Sequence, residues 1–228
     1  MSIYNNRVVT ENVNQINKRN NFDIMKKYKM IIIGEIHSRE MINYYDSLLS
    51  KIRPEYFIAE MAYEDVCMTK EELKDRIDNA SDGTLASPCD YWLNFWLYEL
   101  AYKHNVKLIG CDINVKVPKS RWGKLSEGTN IENTFKIREK HMLDIIKQYD
   151  SKKCIVQLGD AHLRSIAWTK ELQEWSENKK YSQKEEKENC LSYNSCIWEY
   201  YKNNRDVLIV RDSEDYQKEL LWTKNNAI

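Results

Sequence analysis

Two stretches far apart in the chain share one pattern, and it limits what the chain can fold into. Met30-Ile31-Ile32-Ile33 runs into Gly34-Glu35-Ile36-His37, and Ile155-Val156-Gln157-Leu158 runs into Gly159-Asp160-Ala161-His162. A run of apolar and β-branched residues bounded by glycine reads as a buried strand. In open α/β sheets, ligands bind beyond the carboxyl ends of the strands. Glycine there allows a tight exit from the strand and close approach of the backbone. An acid and a histidine just past that glycine therefore project towards a cleft. The chain has four histidines, and two of them stand in this one setting. A single G-x-x-H would be explained as well by helix capping or space filling. Two copies, each at a strand end with an acid in second position, point to a site.

The rest of the chain alternates in the same way. Strands are expected at 29–33, 55–59, 106–110, 154–158 and 207–210. Helical apolar spacing is found at 39–52 (Met41, Ile42, Tyr45, Leu48, Leu49, Ile52), 90–104 and 133–149 (Phe135, Ile137, Met142, Ile145, Ile146). Further helices are expected over 163–175 and around Tyr216, Leu220 and Leu221. Five strand–helix repeats predict a single α/β domain over 1–228, with a largely parallel central sheet of about five strands flanked by helices. Residues 1–22 read as a polar arm or loose first helix. Residues 62–88 and 176–195 read as surface helix or loop insertions, the first able to cover the cleft.

Composition excludes several classes. Among 228 residues, Lys+Arg and Asp+Glu both number 35, so no basic excess suggests nucleic acid. No run approaches the ~18 apolar residues of a membrane span, and residues 1–21 do not resemble a signal peptide; a cytoplasmic location without membrane contact is the expectation. The six cysteines lack any CxxC pair and read as reduced thiols, with Cys111 a small buried filler. Neither phosphate-loop glycine motif nor a G-x-S-x-G elbow occurs.

Each expected strand delivers a titratable group at its carboxyl end: Glu35 and His37, then Glu60, Asp112, Asp160 and His162, and finally Arg211 and Asp212. Asp160 and Asp212 are the weakest members, since aspartate is also a common helix cap. Three roles are open to such a set. Two histidines and a carboxylate hold a divalent metal with a place for water. A histidine acts as general base while a carboxylate orients it. Or the cleft binds a ligand without turning it over.

In order and strand context these residues resemble the erythromycin esterase/ChaN-like and TraB/TIKI superfamily, over about residues 29–170. The matching positions are Gly34-Glu35-Ile36-His37, Glu60 in Phe57-Ile58-Ala59-Glu60-Met61, Arg138 in Ile137-Arg138-Glu139-Lys140-His141-Met142, and Gly159-Asp160-Ala161-His162-Leu163. The first motif is closer to the esterase/ChaN branch, the second to TraB/TIKI. Glu139 departs from the asparagine common in TraB/TIKI sequences, and the chain is shorter than the esterases.

The resemblance implies a hydrolase acting on an ester, amide or related bond of a small molecule or peptide. Its catalytic set would be His37, His162, Glu60, Glu35 and Arg138. A divalent manganese, cobalt, iron or zinc ion would be held by His37, Glu60 and His162 where the enzyme is metal-dependent. From their positions alone, Arg39 and Arg164, two residues after each histidine, and Asp112, at a strand end, are the expected substrate-binding residues. The alternative is a non-catalytic module binding haem, metal or a small signalling molecule, with Trp92, Trp96, Trp122 and Trp168 available to stack on a planar ligand. A catalytically idle relative used for protein contacts is the third reading.

Overall fold

The computed structural model describes residues 8–11, 22–35, 40–60, 62, 67–81, 88–112, 131–163 and 195–212. These form β1 (Val8–Glu11), α1 (Phe22–Met25), β2 (Met30–Glu35), α2 (Glu40–Ile52), β3 (Tyr56–Ala59), β4 (Cys67–Met68), α3 (Lys70–Ser81), α4 (Pro88–His104), β5 (Lys107–Gly110), α5 (Ile131–Lys147), β6 (Cys154–Gly159), a 3₁₀ turn (Asp160–Leu163), α6 (Cys196–Tyr201) and β7 (Val207–Asp212).

The strands form one sheet in the order β1-β7-β2-β6-β3-β5-β4. Every pairing is parallel except that of β4 with β5. The α/β class is as expected, and among the described residues the sheet has seven strands where about five were expected. Residues 1–22 are not merely an arm, because Val8–Glu11 pairs with β7 as an edge strand and Phe22 opens α1. Within 62–88, Cys67 and Met68 close the other edge against Ile109 and Leu108. The following helix α3 starts with a reciprocal cap: the Thr69 N–H donates to Glu72 Oε2 at 2.7 Å, and the Glu72 N–H to Thr69 Oγ1 at 3.3 Å. The expected elements at 163–175, 176–195 and around Tyr216 lie outside the described residues, save Leu163 and Ser195 at their margins.

Side-chain alternation along the strands divides the core in two. Ile31, Ile33, Phe57, Leu108, Ile155 and Leu208 face a layer built by α2 (Tyr44, Tyr45, Leu48, Leu49) and α4 (Leu97, Leu100, Ala101). Met30, Ile32, Ile58, Ile109, Val156 and Ile209 face α5 (Met142, Leu143, Ile146) and α6 (Ile197, Tyr201). Each fully buried side chain of this size contributes about 1.5–3 kcal/mol, so both faces of the central strands are committed to packing. Function is left to the strand ends. Helices α2 and α4 are followed by residues at positive φ, Arg53 (51°) and Asn105 (52°), which turn the chain back into the next strand.

Candidate active site at the strand ends

The two look-alike motifs, 125 residues apart in sequence, are neighbours in space. β2 and β6 pair directly, with Gly34 opposite Leu158 and Glu35 opposite Gly159. A Cβ on Gly34 would lie 2.6 Å from Asp160 Oδ1 and 2.8 Å from Leu163 Cδ1, so only glycine admits the second motif this close. β3 lies on the other side of β6. Three strand ends therefore deliver Glu35, Glu60 and the 3₁₀ turn carrying His162 to one place.

Glu60 is the hub. Gly159 N–H donates to its Oε2 at 2.6 Å, while Arg138 Nη2 and the ring nitrogen Nε2 of His162 both approach its Oε1 at 3.1 Å. Arg138, on α5, also grips Asp112 in a fork, Nε to Oδ1 at 2.9 Å and Nη2 to Oδ2 at 2.7 Å. The other ring nitrogen of His162, Nδ1, lies 3.1 Å from Glu139 Oε1. His162, Glu60, Asp112 and Glu139 are all buried, and Arg138 is the most accessible member, with 24% of its side chain exposed.

Charge sets the protonation states. Burial alone would raise the pKa of Glu60, but the adjacent His162, with Arg138 and the Gly159 N–H, more than reverses this and holds it well below the usual carboxylate range. Burial alone would lower that of His162, yet Glu60 and Glu139 on its two sides raise it to about 9. Burial opposes the charge of Arg138 too, and Asp112 and Glu60 outweigh it. At neutral pH His162 is therefore an imidazolium donating from both nitrogens.

A metal ligand needs a free imidazole lone pair. In this arrangement both nitrogens of His162 are engaged, so the ring would have to give up its contact with Glu60 or Glu139 to bind an ion, whereas each oxygen of Glu60 keeps a lone pair beyond the bonds described. No group of three or more histidine, cysteine or acidic side chains suited to a metal occurs among the described residues.

On the opposite face of the sheet ends, Gln157 Nε2 donates to Glu35 Oε1 at 2.6 Å. Both residues are buried, and Gln157 Oε1 has no hydrogen-bond partner among the described residues. The Tyr45 hydroxyl lies close by, its pKa pushed well above 10 by burial first and then by the charge of Glu35. Below the site, Asp160 forms a buried fork with Arg211, Oδ1 to Nε at 3.0 Å and Oδ2 to Nη2 at 2.9 Å. The Arg211 guanidinium sits 5.5 Å from the centre of the Trp198 ring. Asp160 is thus a structural anchor of the turn that carries His162.

Of the residues anticipated from sequence, Glu60, Asp112, Arg138 and His162 meet in one network, and Glu35 lies at the adjoining strand end. His37, Arg39 and Arg164 lie outside the described residues, as do Trp122, Trp168 and the side chain of Trp92. Trp96 is half-buried against the core, stacked on Tyr45 at 5.6 Å. Cys111 is fully buried filler, as expected.

Sequence reasoning missed Glu139 and Gln157. Each carried a signal. Glu139 falls on the apolar stripe of α5 with Phe135, Met142 and Ile146, and Gln157 interrupts the apolar run of β6. A polar residue in a buried pattern needs a partner.

No family model matches the chain, and no curated protein matches it. Among solved structures it is similar to RRSP, a MARTX toxin effector domain from Vibrio vulnificus CMCP6, at 15% identity and a TM-score of 0.42, over 67% of this chain and 32% of that one. It is also similar to two structures described as bacterial protein toxins. Each is 16% identical over 67% of this chain, covering 33% and 34% of theirs, with TM-scores of 0.41 and 0.43. The chain spans about a third of the length of these structures. No helix among the described residues is long and apolar enough to cross a membrane.

Proposed function

We propose that the chain is a hydrolase of the erythromycin esterase/ChaN and TraB/TIKI type. It would cleave an ester or amide bond of a small molecule or peptide at the carboxyl ends of the strands. The observation that supports this most is the network centred on Glu60, a buried carboxylate joined to His162, Arg138 and the Gly159 N–H at one end of a parallel sheet. So much buried charge is unneeded for folding, since apolar residues of similar size stabilise at least as well. Its concentration in one place supports reading it as a functional site.

The roles follow from the charges. His37, two residues past Glu35, is the base that takes a proton from water as the water oxygen adds to the substrate carbonyl. Glu35, held by Gln157, orients that base or the water. His162 and Arg138 supply positive charge for the oxyanion that forms, which is where fixed charge lowers a barrier most. Collapse of the tetrahedral species expels the alcohol or amine, which leaves with the proton held by His37. This assignment needs no ion.

The test is a panel of chromogenic esters and peptide amides with the full chain and its His37→Ala variant. Turnover by the wild type, lowered roughly 10²–10⁴-fold in the variant with an unchanged circular dichroism spectrum, is the expected outcome. Wild-type rates in His37→Ala would end the assignment.

A further inference from the structure

Glu139 is fully buried on α5, beside a residue, Arg138, that reaches the site in its own right. A buried carboxylate is tolerated only where its oxygens find donors, and those of Glu139 find two of different kinds. Oε1 lies 3.1 Å from Nδ1 of His162, and Oε2 accepts the Cys196 N–H at 3.3 Å. Cys196 is the first residue of α6, and the preceding Ser195, itself buried, donates its hydroxyl to the backbone carbonyl of His162. The same Oγ accepts the Trp198 N–H at 3.1 Å, which fixes Ser195 at the head of α6. One point of the fold thus holds His162 twice, its main chain through Ser195 and its ring through Glu139. With Nδ1 held this way, the ring can present only Nε2 to Glu60.

We propose that Glu139 is a positioning residue for His162. Anchored by the Cys196 N–H, it keeps a proton on Nδ1 and so aims Nε2 at Glu60 and the cleft. This deepens the hydrolase reading and rests on it for its catalytic consequence, whereas the ring geometry stands without it. Glutamine is the discriminating replacement, because it keeps the shape of Glu139 but offers one acceptor in place of two. Either the Cys196 N–H or Nδ1 of His162 must then face an NH₂ group. Leucine removes both acceptors.

The experiment is a long-range ¹⁵N–¹H correlation spectrum of the full chain carrying ¹⁵N-labelled histidine at neutral pH. The chain has only four histidines, and the His162 signals are identified by their loss in His162→Gln. In the wild type Nδ1 is expected at the protonated position, and in Glu139→Leu it moves towards the unprotonated position while the backbone amide spectrum is kept; Glu139→Gln shows the same shift where its NH₂ faces Nδ1. An unprotonated Nδ1 in the wild type overturns the proposal, and so does a His162 ring unchanged in a folded Glu139→Leu, which keeps no acceptor for Nδ1. An unprotonated wild-type Nδ1 refutes the proposal even if a variant fails to fold. Once a substrate is in hand, Glu139→Gln should lower kcat with KM little changed. If no substrate is turned over by the wild type, the hydrolase reading fails while the ring measurement still answers for Glu139.

Discussion

The charged state of His162 makes the stability of the whole protein depend on alkaline pH in a calculable way. In the unfolded chain its pKa is near 6.5, and in the folded protein Glu60 and Glu139 raise it to about 9. A group bound more tightly to its proton in the folded state stabilises fully below its unfolded pKa and loses that stabilisation as pH rises through its folded one. The window is therefore about pH 6.5 to 9. Each pH unit between the two values is worth about 1.4 kcal/mol, so the ring contributes about 3 kcal/mol, counted once for the pair with Glu60. At a urea sensitivity of about 2–3 kcal/mol per molar, this lowers the unfolding midpoint by roughly 1 M between pH 6.5 and 9. Cys154 and Cys196, whose thiols burial pushes up to about 12 and about 11, add a further loss nearer pH 9. The control is therefore His162→Gln, which keeps those thiols and lacks the ring. Urea titrations followed by tryptophan fluorescence should show a steep fall for the wild type and a shallower one for the variant. Parallel falls would refute the imidazolium, and with it the argument that His162 has no lone pair for a metal.

Further outcomes are expected elsewhere. Elemental analysis of protein purified without chelator should find no stoichiometric manganese, cobalt, iron or zinc; metal that is present in the wild type and lost in His37→Ala/His162→Ala would restore the metal set of His37, Glu60 and His162. Asp160→Asn removes the charge that faces the buried Arg211, 1% exposed, and should cost up to about 3–5 kcal/mol in urea unfolding; Asp160→Leu/Arg211→Met should recover much of it. Gly34→Ala drives a methyl group to 2.6 Å from Asp160 Oδ1, an atom already fixed by Arg211, and should cost about 1–3 kcal/mol, read as a lower melting temperature.

How much of this was legible beforehand follows from where each signal is stored. The strands β2, β3, β5, β6 and β7 announce themselves because they are buried on both faces and so are written as unbroken apolar runs. β1 is four residues in a polar setting, and β4 is two residues defined wholly by pairing with Leu108 and Ile109; neither has a local signature to read. Among site residues, His162, Glu60 and Asp112 were legible because the end of a parallel strand is a predictable place. Arg138 came through resemblance alone. Glu139 and Gln157 were not found because their meaning lies in partners 23 and 122 residues away in the chain, and spacing within one helix or strand cannot show these.

The strand order has a consequence for how the protein is made. β2 is the second strand in the chain, yet both its neighbours, β6 and β7, are near the other end. A nascent chain emerging from the ribosome must hold Met30–Ile33, wholly apolar, without a partner until Cys154–Gly159 has been synthesised. Only then can β6 join β2 to β3, and β7 must still follow to join β2 to β1. Non-local pairing of this kind is slow and leaves sticky segments exposed meanwhile. A fragment ending at residue 150 should therefore be unable to assemble the central sheet, however much of the sequence it contains.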